Sequence, residues 1–143
     1  MILPVSYATI LDDPNWPTLL KEYSAECSLP EIGVASPQRD LYGLLQKSGC
    51  FQAFAVYESD LMVGFAAVLI YVLPHYGVKV ASTESIFVTK SCNRGIELRD
   101  AIKRYAIKNG CVKFLYSAPV GSRFDKVLSA TIPHTNNVYI ETL

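Results

Sequence analysis

One stretch of the chain combines residue types that suit an anionic ligand. A strand-like run ends at Val88, and an amphipathic, helix-like run begins a few residues later at Asn93-Arg94-Gly95-Ile96. A helix that opens directly after a strand offers unpaired N–H groups and the positive end of its dipole, which suits an anion. Arg94 adds a guanidinium that can meet phosphate charge. Asn93 can take the left-handed conformation that glycine usually supplies in such a loop. Lys90 and Arg99 lie nearby but read as members of a solvated charged face. Cys92, close to the helix start, sits where a thiol pKa falls, yet nothing beside it marks it as a nucleophile. His75 and Tyr76 read as turn residues, and His134 has no visible partner.

The remaining chemistry is mostly negative. The cysteines Cys27, Cys50, Cys92 and Cys111 are widely spaced, form no C-x-x-C pair and have no histidine cluster, so no metal site is expected. They read as reduced thiols. The first ten residues lack a basic stretch followed by a long apolar core, which points to a cytoplasmic setting. Thirteen basic residues balance thirteen acidic ones, so no net field favours nucleic acid or an anionic membrane. Half of the 143 residues are apolar and 18% are charged, a balance that fits one folded domain over residues 1–143.

The elements that would position these residues follow from periodicity and punctuation. Asp12-Asp13-Pro14 reads as a helix start, with Trp16, Leu19, Leu20, Tyr23 and Cys27 on one stripe and Pro30 as the stop. Ser36-Pro37 opens a second helix through Leu41, Leu44 and Leu45, which Gly49 ends. Phe51–Tyr57, the turn Glu58-Ser59-Asp60 and Met62–Val72 predict a hairpin. A turn over Pro74–Gly77 returns the chain as Val78–Val88, completing a three-stranded antiparallel meander. Leu98, Ala101, Ile102, Tyr105 and Ala106 then share a helix face, stopped by Asn109-Gly110. Val112–Ala118 reads as a strand ended by Pro119. Strand, helix, strand implies that Val78–Val88 and Val112–Ala118 are parallel neighbours. Ser122–Ala130 reads as a last helix and Val138–Leu143 as a terminal strand, whose exposed edge offers a surface for a homodimer. The fold class expected is α/β, in the α+β sense: a mostly antiparallel mixed sheet with a parallel pair at its centre and helices on both faces.

This order, together with the run Glu84-Ser85-Ile86-Phe87-Val88, then Arg94-Gly95, Ala106 and Gly110, resembles the GNAT superfamily of N-acyltransferases. The resemblance covers nearly the whole chain in element order, and Leu61 to Ala118 in residues. It implies a fourth strand that bulges and splays from the fifth, so that the backbone of Ile86, Phe87 and Val88 can pair with the pantetheine arm of acetyl-CoA as though it were another strand. Asn93, Arg94, Gly95 and Ile96 would then meet the diphosphate. Glu84 matches the strand glutamate that in relatives takes a proton from the acceptor amine.

Two departures from the family pattern are visible. The family's phosphate loop reads Gln or Arg, two residues, Gly, one residue, then Gly or Ala; in Lys90-Ser91-Cys92-Asn93-Arg94-Gly95 only Gly95 fits. The tyrosine that relatives carry on the last helix as the acid is absent from Ser122-Arg123-Phe124-Asp125-Lys126-Val127-Leu128, which leaves Tyr116 and Ser117 as substitutes. The resemblance thus implies acetyl transfer from acetyl-CoA to a primary amine on a small molecule or protein, without a metal. The alternative is a GNAT-shaped binding or assembly module that has lost catalysis.

Overall fold

The computed structural model describes all residues, 1–143. Ten elements follow in order: β1 (Ile2–Val5), α1 (Tyr7–Leu11), α2 (Trp16–Cys27), α3 (Arg39–Lys47), β2 (Phe51–Glu58), β3 (Leu61–Leu73), β4 (Val78–Val88), α4 (Gly95–Lys108), β5 (Lys113–Leu115) and α5 (Arg123–Thr131). The sheet runs β1-β2-β3-β4-β5, antiparallel except for the parallel pair β4 and β5.

The meander forms where expected because alternation and turn residues agree. Ser59 takes a positive φ of 53° in the two-residue turn between β2 and β3, a conformation a small polar residue tolerates. Each face of β2 and β3 feeds a separate core. Ala53, Ala55, Phe65, Ala67 and Phe87 pack under α1 and α2, against Tyr7, Ile10, Trp16 and Leu19. On the opposite face Phe54, Val56, Ala66 and Val68 meet Leu98, Ile102 and Ala106 of α4. Those three recur every fourth position, which is the stripe the sequence predicts, and fully burying Leu98 and Ile102 contributes roughly 1.5–3 kcal/mol each.

Several expectations shift. β1 and α1 have no counterpart in the sequence reading; β1 joins the sheet by pairing Ile2–Val5 with Ala53–Val56, and Ser6 caps α1 by accepting the Thr9 N–H at 3.0 Å. Pro14 precedes α2 rather than entering it. Asp13 instead folds the turn, its Oδ1 accepting the Asn15 N–H at 2.8 Å, and the proline in the first turn of α2 is Pro17. β5 keeps only Lys113–Leu115. Val138–Leu143 forms no strand, and Val138 and Tyr139 stand more than four-fifths exposed, so no strand pairs beyond β5. With that strand missing, the parallel pair closes an edge of the sheet instead of standing at its centre.

Candidate active site

The site is built on an irregularity in β4. Ala67 of β3 pairs with Ser85, but the next residue, Val68, pairs with Thr83, so Glu84 is an extra residue in β4. Such a bulge breaks the alternation and turns consecutive side chains toward one face. Ser85 and Phe87 accordingly belong to the face carrying α1 and α2, and Glu84, which is exposed, comes close to Tyr42, Tyr7 and Tyr23 there.

The tyrosines form a packed group. Tyr7 and Tyr42 stack with ring centroids 3.7 Å apart and planes 16° from parallel. Burial drives the Tyr42 hydroxyl pKa far above its ordinary value, with the charges of Tyr7 and Glu84 adding to the rise. Tyr7 is likewise raised, chiefly by burial, and Tyr23 is pushed up to about 12 by burial, then by Cys27 and Glu84. All three therefore stay protonated at neutral pH. Ser85 Oγ is buried beside this group with no hydrogen-bond partner.

The bulge also marks where β4 and β5 part. Their ladder ends at Ser82 and Leu115. One step further, the Ser117 N–H donates to Thr83 Oγ1 at 3.1 Å, so a side chain replaces the backbone partner. Beyond it, Ser85–Val88 is paired on the β3 side only. Peptide groups alternate along a strand, and Thr89 donates toward β3, to the Val63 carbonyl at 2.9 Å. Ile86 and Val88 therefore turn their N–H and C=O groups to the free edge.

That edge lines a cleft of about 290 Å³. α4 contributes Gly95, Ile96 and Leu98 with the preceding Asn93; α5 contributes Phe124 and Val127. No backbone acceptor takes the N–H groups of Asn93, Gly95, Ile96 or Glu97, whereas Leu98 N–H bonds the Arg94 carbonyl at 2.9 Å. The start of α4 is thus an open set of donors above an apolar slot. Val88 packs against it: a Cβ at Gly95 would lie 3.6 Å from Val88 Cγ2.

Charge in the cleft differs from the sequence expectation. Arg94 does not line it; it forms the N-cap of α4 and approaches Glu97 at 3.7 Å. Arg99, read as part of a solvated face, does line the cleft, and its Nε is buried without an acceptor. The other cation is Arg123 at the start of α5. Its guanidinium donates to both Glu26 carboxylate oxygens at 2.9–3.0 Å, and one amino group also donates to the Val88 carbonyl at 2.7 Å. It lies over the Phe87 ring, 5.6 Å from the centroid. Arg123 holds the Glu26 carboxyl below the usual range, mainly by hydrogen bonding. This ion pair stands between the cleft and a larger, more polar cavity of about 930 Å³ lined by Glu22, Lys90, Ser91 and Ser122 among others. Residues 26 and 123 carry no sequence signal of their pairing.

The other sequence candidates lie apart. Tyr116 stacks on Phe114 at 4.5 Å and meets the edge of Phe124 at 5.8 Å, one side chain behind the cleft wall. Burial raises its pKa, with Arg99 opposing. Ser117 is exposed, and no hydrogen bond joins it or Tyr116 to Glu84. Cys92 is raised, not lowered: it is buried, and its Sγ accepts the Arg94 N–H at 3.4 Å. No group of three or more His, Cys, Asp or Glu residues is arranged to hold a metal ion. No helix is long and apolar enough to cross a membrane.

No family model matches this chain, and no curated protein matches it. Solved structures do. A ribosomal-protein-alanine N-acetyltransferase from Brucella melitensis biovar Abortus 2308 superposes with a TM-score of 0.71 at 15% identity, over 100% of this chain and 99% of that one. An aminoglycoside acetyltransferase from an uncultured soil metagenomic sample, in complex with trehalose, gives 0.73 at 14% identity, over 100% and 95%. An aminoglycoside N-acetyltransferase in complex with CoA gives 0.71 at 18% identity, over 100% and 93%. Bulged β4, splayed β5 and the open start of α4 thus sit in a chain that has the fold of the GNAT-type N-acetyltransferases.

Proposed function

We propose that this chain is an N-acetyltransferase that moves an acetyl group from acetyl-CoA to a primary amine. One observation carries this: the β4 edge left free beyond the Glu84 bulge opens into the same cleft as the unpaired N–H groups of α4. The CoA complex of a structural neighbour supports the choice of donor, and the acetyltransferase names of the neighbours support the reaction.

The residues fit such a donor. Ile86 and Val88 offer peptide groups to the pantetheine amides, and the N–H groups of Asn93, Gly95 and Ile96 suit the diphosphate. The slot between is mostly apolar. When bound, acetyl-CoA supplies a thioester carbonyl open to attack by an amine. Glu84 takes the proton that the amine must lose to become a nucleophile, directly or through one water. Tyr42, protonated at neutral pH, lies near that carboxylate. As the N–C bond forms and the C–S bond breaks, the thiolate leaves without an acid in the cleft wall: Tyr116, kept protonated by burial, is the nearer of the two candidates but stands behind Phe124, and Ser117 is exposed outside the lining.

Titration calorimetry with acetyl-CoA tests the proposal. Saturable heat is expected, followed by release of free thiol when a suitable amine is added. No heat at millimolar ligand overturns it.

A further inference from the structure

Arg123 holds a group that the proposed donor needs. Its guanidinium occupies the Val88 carbonyl on the free edge of β4, where a pantetheine amide would have to donate. Its other partner, Glu26, contributes the one carboxylate in a cleft that otherwise carries Arg99 and Arg123. The start of α4 is close by, since Gly95 packs against Val88. A phosphate held there would offer Arg123 a more highly charged acceptor than a carbonyl. The phosphate loop itself lacks the glycines that would let its backbone wrap an anion.

We infer that Arg123 is an exchangeable anion-binding residue: in the free protein it rests on Glu26 and the Val88 carbonyl, and in the complex it turns to the donor's diphosphate. The inference rests on the acyl-CoA reading of the cleft. A single side-chain movement then serves both ends of the ligand. It adds a guanidinium to the diphosphate, where a charge-assisted pair is strong, and it frees the Val88 carbonyl for the amide arm. Glu26 acts as the competitor that sets how readily Arg123 leaves. Ligands without a diphosphate give Arg123 nothing to move to.

The test is calorimetry with two probes, coenzyme A and pantetheine, on the wild type, Arg123→Met, Arg123→Lys and Glu26→Gln. Glutamine keeps an oxygen for the Arg123 N–H, which bonds Glu26 Oε1 at 3.1 Å, so the start of α5 is preserved. Arg123→Met is expected to weaken coenzyme A about tenfold or more, while pantetheine binds no more weakly than to the wild type, since the Val88 carbonyl is then free. Arg123→Lys recovers part of the loss. Glu26→Gln tightens coenzyme A by about threefold or more, because it removes the competing charge. Should Arg123→Met fail to fold, Glu26→Gln and Arg123→Lys decide alone. Unchanged coenzyme A affinity in these variants, or equal loss for both probes, overturns the exchange and leaves the acetyltransferase reading standing. A wild type that binds coenzyme A no better than pantetheine also overturns the exchange. Failure of the wild type to bind either probe overturns both.

Discussion

The Arg123 guanidinium grips the Glu26 carboxylate through two of its nitrogens, tying the start of α5 to the end of α2 across 97 residues of sequence. Arg123 depresses the Glu26 pKa, so the pair stabilises the fold above the ordinary glutamate value, about 4.3, and that contribution disappears as pH falls through the lower folded-state value. Urea denaturation of the wild type should therefore show a stability loss on acidification that is smaller in Glu26→Gln. The Arg123 side chain is 40% exposed, so a double-mutant cycle at neutral pH should give a coupling of only about 1 kcal/mol.

Glu84→Gln should lower kcat by about a hundredfold or more while leaving the dissociation constant for acetyl-CoA unchanged, because the side chain lies on the acceptor face and not in the cleft. Stopped-flow thiol release and calorimetry on the same preparation separate the two. Tyr42→Phe removes a hydroxyl near that carboxylate, and is expected to lower kcat by less than Glu84→Gln does while leaving acetyl-CoA affinity unchanged.

Gly64 faces the end of β4, where a Cβ would lie 2.7 Å from both the Phe87 carbonyl oxygen and Val88 Cγ1. The first of these atoms is backbone and cannot swing aside. Gly64→Ala should cost about 1–3 kcal/mol in denaturant unfolding and weaken coenzyme A binding, since Phe87 and Val88 line the cleft. A substitution that leaves both unchanged would mean that β4 yields at no cost.

Cys50 is exposed, Cys92 is buried, and burial, with Glu26 adding, pushes the Cys27 thiol up to about 11. Thiolate is the reactive form, so timed alkylation at neutral pH followed by peptide mass mapping should find Cys50 labelled first and Cys27 and Cys92 late.

Most of the scaffold was legible because its signals are local. The stripe Leu98, Ile102 and Ala106 and the alternation in β2 and β3 state their elements within a few residues, and Ser122 caps α5 as a serine should. β1 is short, with Pro4 inside it, and earns its place only by pairing with Ala53–Val56, which no local pattern records. Val138–Leu143 shows the opposite failure: strand-like composition without a partner. In the candidate site, Glu84 and the residues after it follow one another along a single strand, where a motif can record them. Tyr7, Tyr42, Glu26 and Arg123 meet only through folding, and Arg99 and Arg94 exchanged expected places because which side of a first helical turn faces the cleft depends on where the helix begins.

The extra residue at Glu84 also resets the count along β4. Upstream, Ala81 and Thr83 share the α4 face with odd numbers; downstream, Ile86 and Val88 reach that same layer with even ones. Inward and outward positions thus swap parity within a single strand. Distant relatives matched by apolar alternation would have to be slid by one position at this point, and a deletion of one residue there would straighten the strand while leaving every flanking side chain on its present side.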